Sequence, residues 1–124
     1  MTSLWEAINE SNQTNPNRNV YVDKVICYLE EHFTEPISLD SIAEEVFISK
    51  YYLARIFKQI TGKSPYQYLT NLRISKAKEL LALTDFPLTE IAEMSGFRDA
   101  KKLICAFKQR MSITPGEYRR MVKS

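Results

Sequence analysis

Residues 39–68 read LDSIAEEVFISKYYLARIFKQITGKSPYQY, and residues 88–118 read LTEIAEMSGFRDAKKLICAFKQRMSITPGEY. The two stretches are copies of one pattern. The motif Leu-x-x-Ile-Ala returns 49 residues after Leu39, and the motif Leu-x-x-x-Phe-Lys returns 50 residues after Leu53. The motif Pro-x-x-Tyr that begins at Pro65 also returns after 50 residues. A repeat of this length predicts one supersecondary unit that is present twice.

The spacing of apolar residues predicts an all-α fold. Apolar side chains recur at helical intervals from Val20 onward, and no stretch alternates with a period of two. The one-residue change of offset falls between two short predicted helices, where a turn is expected. The predicted helices, about seven, span residues 20–33, 39–46, 50–61, 66–83, 88–95, 99–110 and 115–122.

These helices predict a homeodomain-like tandem of two helix-turn-helix subdomains. We expect the first subdomain at residues 20–65, a long connecting helix at 66–83 and the second subdomain at 84–124. Residues 1–19 are rich in Asn and have little periodicity, so we interpret them as a leader or an inter-domain linker.

In the first unit, the second helix of the pair has two distinct faces. Ser49 is the expected N-cap of this helix, and Leu53, Ile56, Phe57 and Ile60 fall on one side as a packing face. The opposite side carries an aromatic, a small residue and two cations at helical spacing: Tyr51, Ala54, Arg55 and Lys58. Such a face suits a DNA major groove, because Arg binds guanine with two hydrogen bonds and Ala contacts a thymine methyl. A solvated helix face remains the alternative for a single helix.

The second unit is predicted to read bases more weakly. Gly96 allows a positive φ in its turn, and Asp99 is the expected N-cap of its second helix. The outward face of that helix contains Lys101, Ile104, Cys105 and Lys108, of which only the lysines are charged.

Composition and charge narrow the functional class. The net charge is +2, but residues 1–48 sum to −7 and residues 49–124 to +9, an asymmetry that suggests a polyanionic partner for the second part. Cys27 and Cys105 lack partners at metal-ligand spacing and are expected to be free, partly buried thiols. With one histidine and three glycines, the chain offers no acid–base pair, nucleophile–histidine pair or phosphate-binding glycine loop. We therefore expect neither an enzyme, nor a metal site, nor a cofactor.

The ordered motifs resemble the AraC/XylS family of bacterial transcription regulators over about residues 20–120. The resemblance rests on the repeated motifs above, on Arg73-x-x-x-Ala77-x-x-Leu80-Leu81 in the connecting helix, and on Ile91-Ala92-x-x-x-Gly96-Phe97. The chain departs from the family at Ser112, where Gly is usual, and at Cys105, where a longer polar residue is frequent. If residue 112 keeps a left-handed conformation, Ser costs about 1 kcal/mol there.

The resemblance implies that each subdomain places one recognition helix in successive major-groove segments of promoter DNA. Base contacts are expected from the residues that match the family's reading positions: Tyr51, Ala54, Arg55, Ala100, Lys101, Ile104 and Cys105. Contacts to the DNA backbone are expected from polar and cationic residues nearby: Ser49, Lys50, Lys58, Arg73, Lys76, Lys102 and Lys108.

The expected partners are double-stranded DNA and RNA polymerase, for a cytoplasmic protein with no membrane segment. The resemblance leaves open a ligand sensor or a phosphoacceptor receiver domain upstream, as in a two-component system, or a short stand-alone activator. The rival interpretation is a helical protein-interaction module whose basic face meets an acidic partner. The repeat argues against this rival, because it duplicates the position of the outward face and not only the core.

Overall fold

The computed structural model describes residues 19–123, which form seven helices and no strand. We number them in chain order. They are α1 (Val20–His32), α2 (Leu39–Glu45), α3 (Lys50–Thr61), α4 (Pro65–Leu83), α5 (Leu88–Ser95), α6 (Ala100–Met111) and α7 (Pro115–Lys123). The all-α prediction and its helix order are confirmed, with each boundary within two residues of its predicted place.

Local side-chain caps explain why the helices begin where they do. The side chain of Asn19 accepts hydrogen bonds from two backbone N–H groups of α1, and Ser38 forms a capping box with Ser41 at α2. Ser64 forms a second capping box with Gln67 at the start of α4. Each cap satisfies a backbone donor that the first helical turn leaves without an intrahelical partner.

Two apolar cores lie one after the other along the chain. The first is built from α1, α2 and α3 and from the beginning of α4, whereas the second is built from the rest of α4 with α5, α6 and α7. The long helix α4 therefore belongs to both cores. Leu69 packs into the first core, and Ile74 packs into the second core.

The repeat of the sequence is also a repeat of contacts. The rings of Phe57 and Tyr68 meet edge to face in the first unit, with 5.6 Å between their centroids. Phe107 and Tyr118 do the same in the second unit, at 5.5 Å. The final helix also keeps its cap, because Thr114 and Glu117 exchange the same pair of hydrogen bonds as Ser64 and Gln67.

The two units touch at the turn of the second helix-turn-helix. Gly96 has φ +97° there and packs against the segment that follows α1. A methyl group at Gly96 would overlap the carbonyl oxygen of Phe33 and lie 2.8 Å from Nε of Arg73. Only a residue without a side chain fits this approach, so the turn of one unit is seated on the backbone of the other.

Arg73 of α4 stabilises the same contact. Its Nε donates to the carbonyl of Phe33 at 2.7 Å, and its Nη2 donates to the carbonyl of Glu35 at 2.9 Å. Partial burial of the guanidinium lowers the pKa of Arg73 from its ordinary value. The repeat-related residue Lys123, 50 residues later, likewise donates to the carbonyl of Thr84 after the end of α4. This geometry gives Arg73 a structural role, and its contact with a DNA phosphate stays a prediction.

Two further properties of the described residues bear on function. No helix within residues 19–123 is long and apolar enough to cross a membrane. Cys27 and Cys105 are free thiols and both are exposed, so the prediction of partial burial is wrong. Each cysteine lies on the outer side of an amphipathic helix, whose inner side is filled by larger apolar residues.

Candidate DNA-binding surface

The turn of the first unit presents α3 at the surface. After α2, Phe47 adopts a left-handed conformation with φ +60°, and the N–H of Ile48 donates to the carbonyl of Ala43. Ser49 then caps α3, since its hydroxyl accepts from the N–H of Tyr52. Leu53, Ile56 and Phe57 are buried, which leaves the opposite side of α3 toward solvent.

The outer face of α3 holds the residues predicted to contact bases. Tyr51 is 77% exposed, Arg55 is exposed, and Ala54 lies half-buried between them. The guanidinium of Arg55 lies 5.9 Å from the centroid of the Tyr52 ring, within the range of a cation–π contact. Tyr52 was not among the predicted contact residues, although its spacing of three from Arg55 places the two side chains side by side. The Tyr52 ring holds the planar guanidinium of Arg55, and this contact does not use the N–H donors of the guanidinium.

The second unit builds an equivalent surface with different side chains. Ser95 is fully buried and its hydroxyl donates to the carbonyl of Ile91 at 2.6 Å, after which Gly96 ends α5. Asp99 caps α6 by accepting from the N–H of Lys102 at 2.9 Å. Leu103 and Phe107 are buried beneath α6. The expected caps and the positive φ of Gly96 are confirmed.

The outer face of α6 carries few hydrogen-bonding groups, as predicted. Lys101 and Cys105 are exposed, whereas Ala100 and Ile104 are half-buried. The helix ends at Ser112, which has φ +66° and whose N–H donates to the carbonyl of Lys108. Ser therefore occupies a left-handed position that favours Gly, as the sequence suggested.

The lysines predicted to contact the DNA backbone differ in whether they already form an ion pair with a carboxylate. Nζ of Lys50 lies 3.2 Å from Asp40, and Nζ of Lys76 lies 3.5 Å from Glu79. The other three predicted lysines, Lys58, Lys102 and Lys108, are exposed and take part in no ion pair within residues 19–123. Exposed ion pairs of this kind contribute only about 0–1 kcal/mol, so a phosphate can displace the carboxylate from Lys50 or Lys76.

The described residues hold no cluster of metal-binding side chains. No group of three or more His, Cys, Asp and Glu within residues 19–123 has the geometry of a metal site. His32 lies on α1, where its Nδ1 is 2.8 Å from Oε2 of Glu35. This hydrogen bond raises the pKa of His32.

The sequence and the fold of this chain are similar to those of transcription regulators. A family model described as a helix-turn-helix domain matches residues 42–121. The HTH-type transcriptional activator RhaS of Enterobacter sp. (strain 638) is 36% identical over 103 residues, which cover 83% of this chain and 37% of RhaS. The chain thus spans little more than a third of the length of the curated relatives that it matches.

Two solved structures are similar as well. The C-terminal domain of AraT, a response regulator from Geobacillus stearothermophilus, has a TM-score of 0.81 and 38% identity, covering 83% of this chain and 86% of that one. The DNA-binding domain of the global transcriptional factor AdpA, in complex with a target DNA, has a TM-score of 0.78 and 27% identity, covering 82% and 92% of the two chains. Sequence match and shared fold together show that this chain belongs to the AraC-type helix-turn-helix family, whose relatives here are transcription regulators and not enzymes.

Proposed function

We propose that this chain regulates transcription by binding promoter DNA with α3 and α6 in two successive major-groove segments. The observation that carries this proposal is the duplication of an outward helix face on a duplicated scaffold. Both α3 and α6 follow a turn with a left-handed residue, both are capped by a side chain, and both bury Leu and Phe at matching positions. A single packing module has no need to present the same face twice.

The two recognition helices divide the reading of bases unequally. Tyr51, Ala54 and Arg55 give α3 an aromatic ring, a methyl and a bidentate donor, which together distinguish base pairs in the major groove. The equivalent face of α6 offers Ala100, Lys101, Ile104 and Cys105, so it contacts methyl groups and makes one charged contact. We infer that α3 supplies most of the sequence discrimination and that α6 mainly anchors the complex.

The free cations next to these helices would neutralise phosphates. Lys58, Lys102 and Lys108 are exposed on α3 and α6. Lys50 and Lys76 would be secondary contacts, because each must first break its ion pair with a carboxylate. Ser49, at the start of α3, would also contact the DNA backbone. Phosphate contacts fix the register of the protein on the duplex but carry no base information.

The direct test is to select duplexes from a random pool and to titrate the chain with the selected sequence. Arg55→Ala should weaken the selected site by about 1–3 kcal/mol and relax the preference at one base position. Lys58→Ala should weaken selected and random duplexes alike and lower the slope of log affinity against log salt by about one.

The control is Lys24→Ala, which removes an exposed cation from α1, distant in sequence from both recognition helices. It should leave the sequence preference unchanged. If Arg55→Ala and Lys58→Ala affect selected and random DNA to the same extent, the division of roles is wrong. If no duplex binds at any salt concentration, the proposed function itself is wrong.

The descriptions of two relatives support a proposal for the wider assembly. RhaS is described as an activator and AraT as a response regulator, and this chain spans 37% of RhaS. We propose that the chain acts in the cytoplasm as an output domain that contacts RNA polymerase, under the control of a sensor or receiver domain. Run-off transcription with purified polymerase on a template carrying the selected site tests the polymerase contact, since activation requires transcript yield to rise when the chain is added.

A further inference from the structure

A cleft of about 720 Å³ lies between the two helix-turn-helix units, beside the contact at Gly96. One wall is the segment after α1 together with Tyr66 at the start of α4, and the other wall is formed by the second turn and by α6. Lys102 and Cys105 of α6 line it. The cleft therefore opens beside a recognition helix, although most of its lining residues belong to neither recognition face.

Tyr66 connects this cleft to the other recognition helix. Its side chain is 71% exposed, and it lines both the cleft and a smaller apolar hollow of about 210 Å³. Ala54 of α3 lines that hollow. The surface thus runs from Ala54 past Tyr66 to Cys105, so Tyr66 stands between the two helices proposed to enter the DNA.

The cleft is electropositive. Arg98 and Lys102 line it with exposed side chains that take part in no ion pair within residues 19–123. Arg73 adds a third positive charge, although its donors are engaged with backbone carbonyls. Glu93 contributes a carboxylate, which leaves the lining with a net positive charge.

Arg98 is also the residue that breaks the repeat. Phe47 corresponds to Gly96 and Ile48 to Phe97, each pair offset by 49 residues and with matching backbone hydrogen bonds. The next equivalent residues are the two N-caps, Ser49 and Asp99, which are offset by 50. Arg98 is therefore an insertion in the second turn, without a counterpart in the first. Neither the core nor the cap requires it, and it lies in the cleft.

Tyr66 departs from the repeat as well. Its counterpart 50 residues later is Gly116, where an added Cβ would meet no atom within 4 Å. A large ring at this position is not needed by the unit itself. Arg98 and Tyr66, the two residues that distinguish the cleft from the equivalent surface elsewhere, thus both line it.

We propose that this cleft is a third DNA contact site, which binds backbone phosphates of the duplex segment between the two major-groove segments. The proposal rests on the function proposed above. Major and minor grooves alternate on one face of B-DNA, so two major-groove segments about one turn, ~34 Å, apart present a minor groove between them. Arg98 and Lys102 bind phosphates that border this groove, and the phenol of Tyr66 donates a hydrogen bond to the same backbone.

The test combines protein variants with neutral phosphates. In the selected duplex, each phosphate of the intervening segment is replaced in turn by an uncharged methylphosphonate, and affinity is measured for the full chain. The parent chain should lose about threefold to tenfold at one or two positions, as expected for a lost charge-assisted hydrogen bond. Arg98→Gln should bind the unmodified duplex more weakly by a similar factor, with a salt slope lower by about 0.9. Its affinity should then be insensitive to the methylphosphonate.

Two further variants make the result specific. The affinity of Tyr66→Ala should be insensitive to a methylphosphonate at one position of the same segment. Arg120→Gln removes one exposed cation from α7 that lines neither cavity, and it should retain the full loss that the parent shows. If the losses from Arg98→Gln and from each methylphosphonate simply add, the cleft is not a phosphate site, even though the chain binds DNA. If the parent chain binds no duplex, the proposed function fails together with the cleft.

Discussion

Gly96→Ala should destabilise the fold far more than Gly62→Ala, although both glycines have a positive φ. Gly62 ends α3 with φ +79°, and a Cβ there would meet nothing within 4 Å. Its replacement adds only the strain of a left-handed alanine, about 1 kcal/mol. Gly62→Ala is therefore the matched control for the backbone conformation.

At Gly96 the same strain is joined by a steric conflict between the two units. The added methyl would overlap the Phe33 carbonyl oxygen, which is itself the acceptor of the 2.7 Å hydrogen bond from Arg73. Forcing a methyl into a packed contact costs about 1–3 kcal/mol, and weakening a charge-assisted hydrogen bond adds about 1 kcal/mol. We therefore expect Gly96→Ala to cost about 3–5 kcal/mol, a large part of the ~5–15 kcal/mol that stabilises a typical domain.

Urea denaturation monitored by circular dichroism measures both variants, provided that the m-values stay equal to that of the parent chain. The expected difference between the two variants is about 2–4 kcal/mol. Equal free energies of unfolding, within about 0.5 kcal/mol, would refute the contact between the second turn and the segment after α1.

Two other predictions concern a strained residue and a titrating one. Ser112→Gly should raise the free energy of unfolding by about 1 kcal/mol, because Ser112 is exposed and has φ +66°; an unchanged or lower value in the same urea assay would show that the strain is absent. Glu35→Gln should lower the pKa of His32, measured by NMR titration of the imidazole protons, because the hydrogen bond to Glu35 is the main cause that raises it. Since the folded pKa of His32 is raised, its stabilising contribution is present below the unfolded value of ~6.5 and is lost as the pH rises through the folded pKa. The variant should therefore lose less stability than the parent over that interval, and identical pH profiles would contradict this reasoning.

Local chemistry made much of the fold predictable from the sequence. Ser38, Ser49 and Asp99 cap helices where the pattern placed helix starts, and Ser112 is left-handed where Gly is usual. These features depend on residues within one turn of each other. The buried faces of α3 and α6 were predictable for the same reason, since helical spacing alone separates them from the outer faces.

Contacts between distant parts of the chain were not predictable in this way. Arg73 looked like one more cation beside a basic surface, but its donors reach carbonyls that lie 38 and 40 residues earlier. Phe47 gave no sign of its positive φ, because its counterpart Gly96 is the type of residue that usually marks such a turn. The cleft required the relative placement of the two units, which the repeat does not contain.

The exposed cysteines show a different difficulty. Cys27 and Cys105 were expected to be partly buried because free cysteines usually behave as small apolar residues. Helical spacing puts each of them on the outer side of its helix, and this position, not the residue type, decides the exposure of the two side chains.

The sharing of α4 by two cores has a consequence for how this chain can change in length. Leu69 packs in the first core and Ile74 in the second, with no flexible connection between them. A single residue inserted between these two positions would turn everything after it by about 100° around the helix axis and advance it by about 1.5 Å. The two recognition helices would then point to different sides of a duplex, although each unit kept its own core. Loops elsewhere can accept insertions, as Arg98 in the second turn illustrates. The middle of α4 cannot, because its length sets the rotation of α6 relative to α3 about the helix axis.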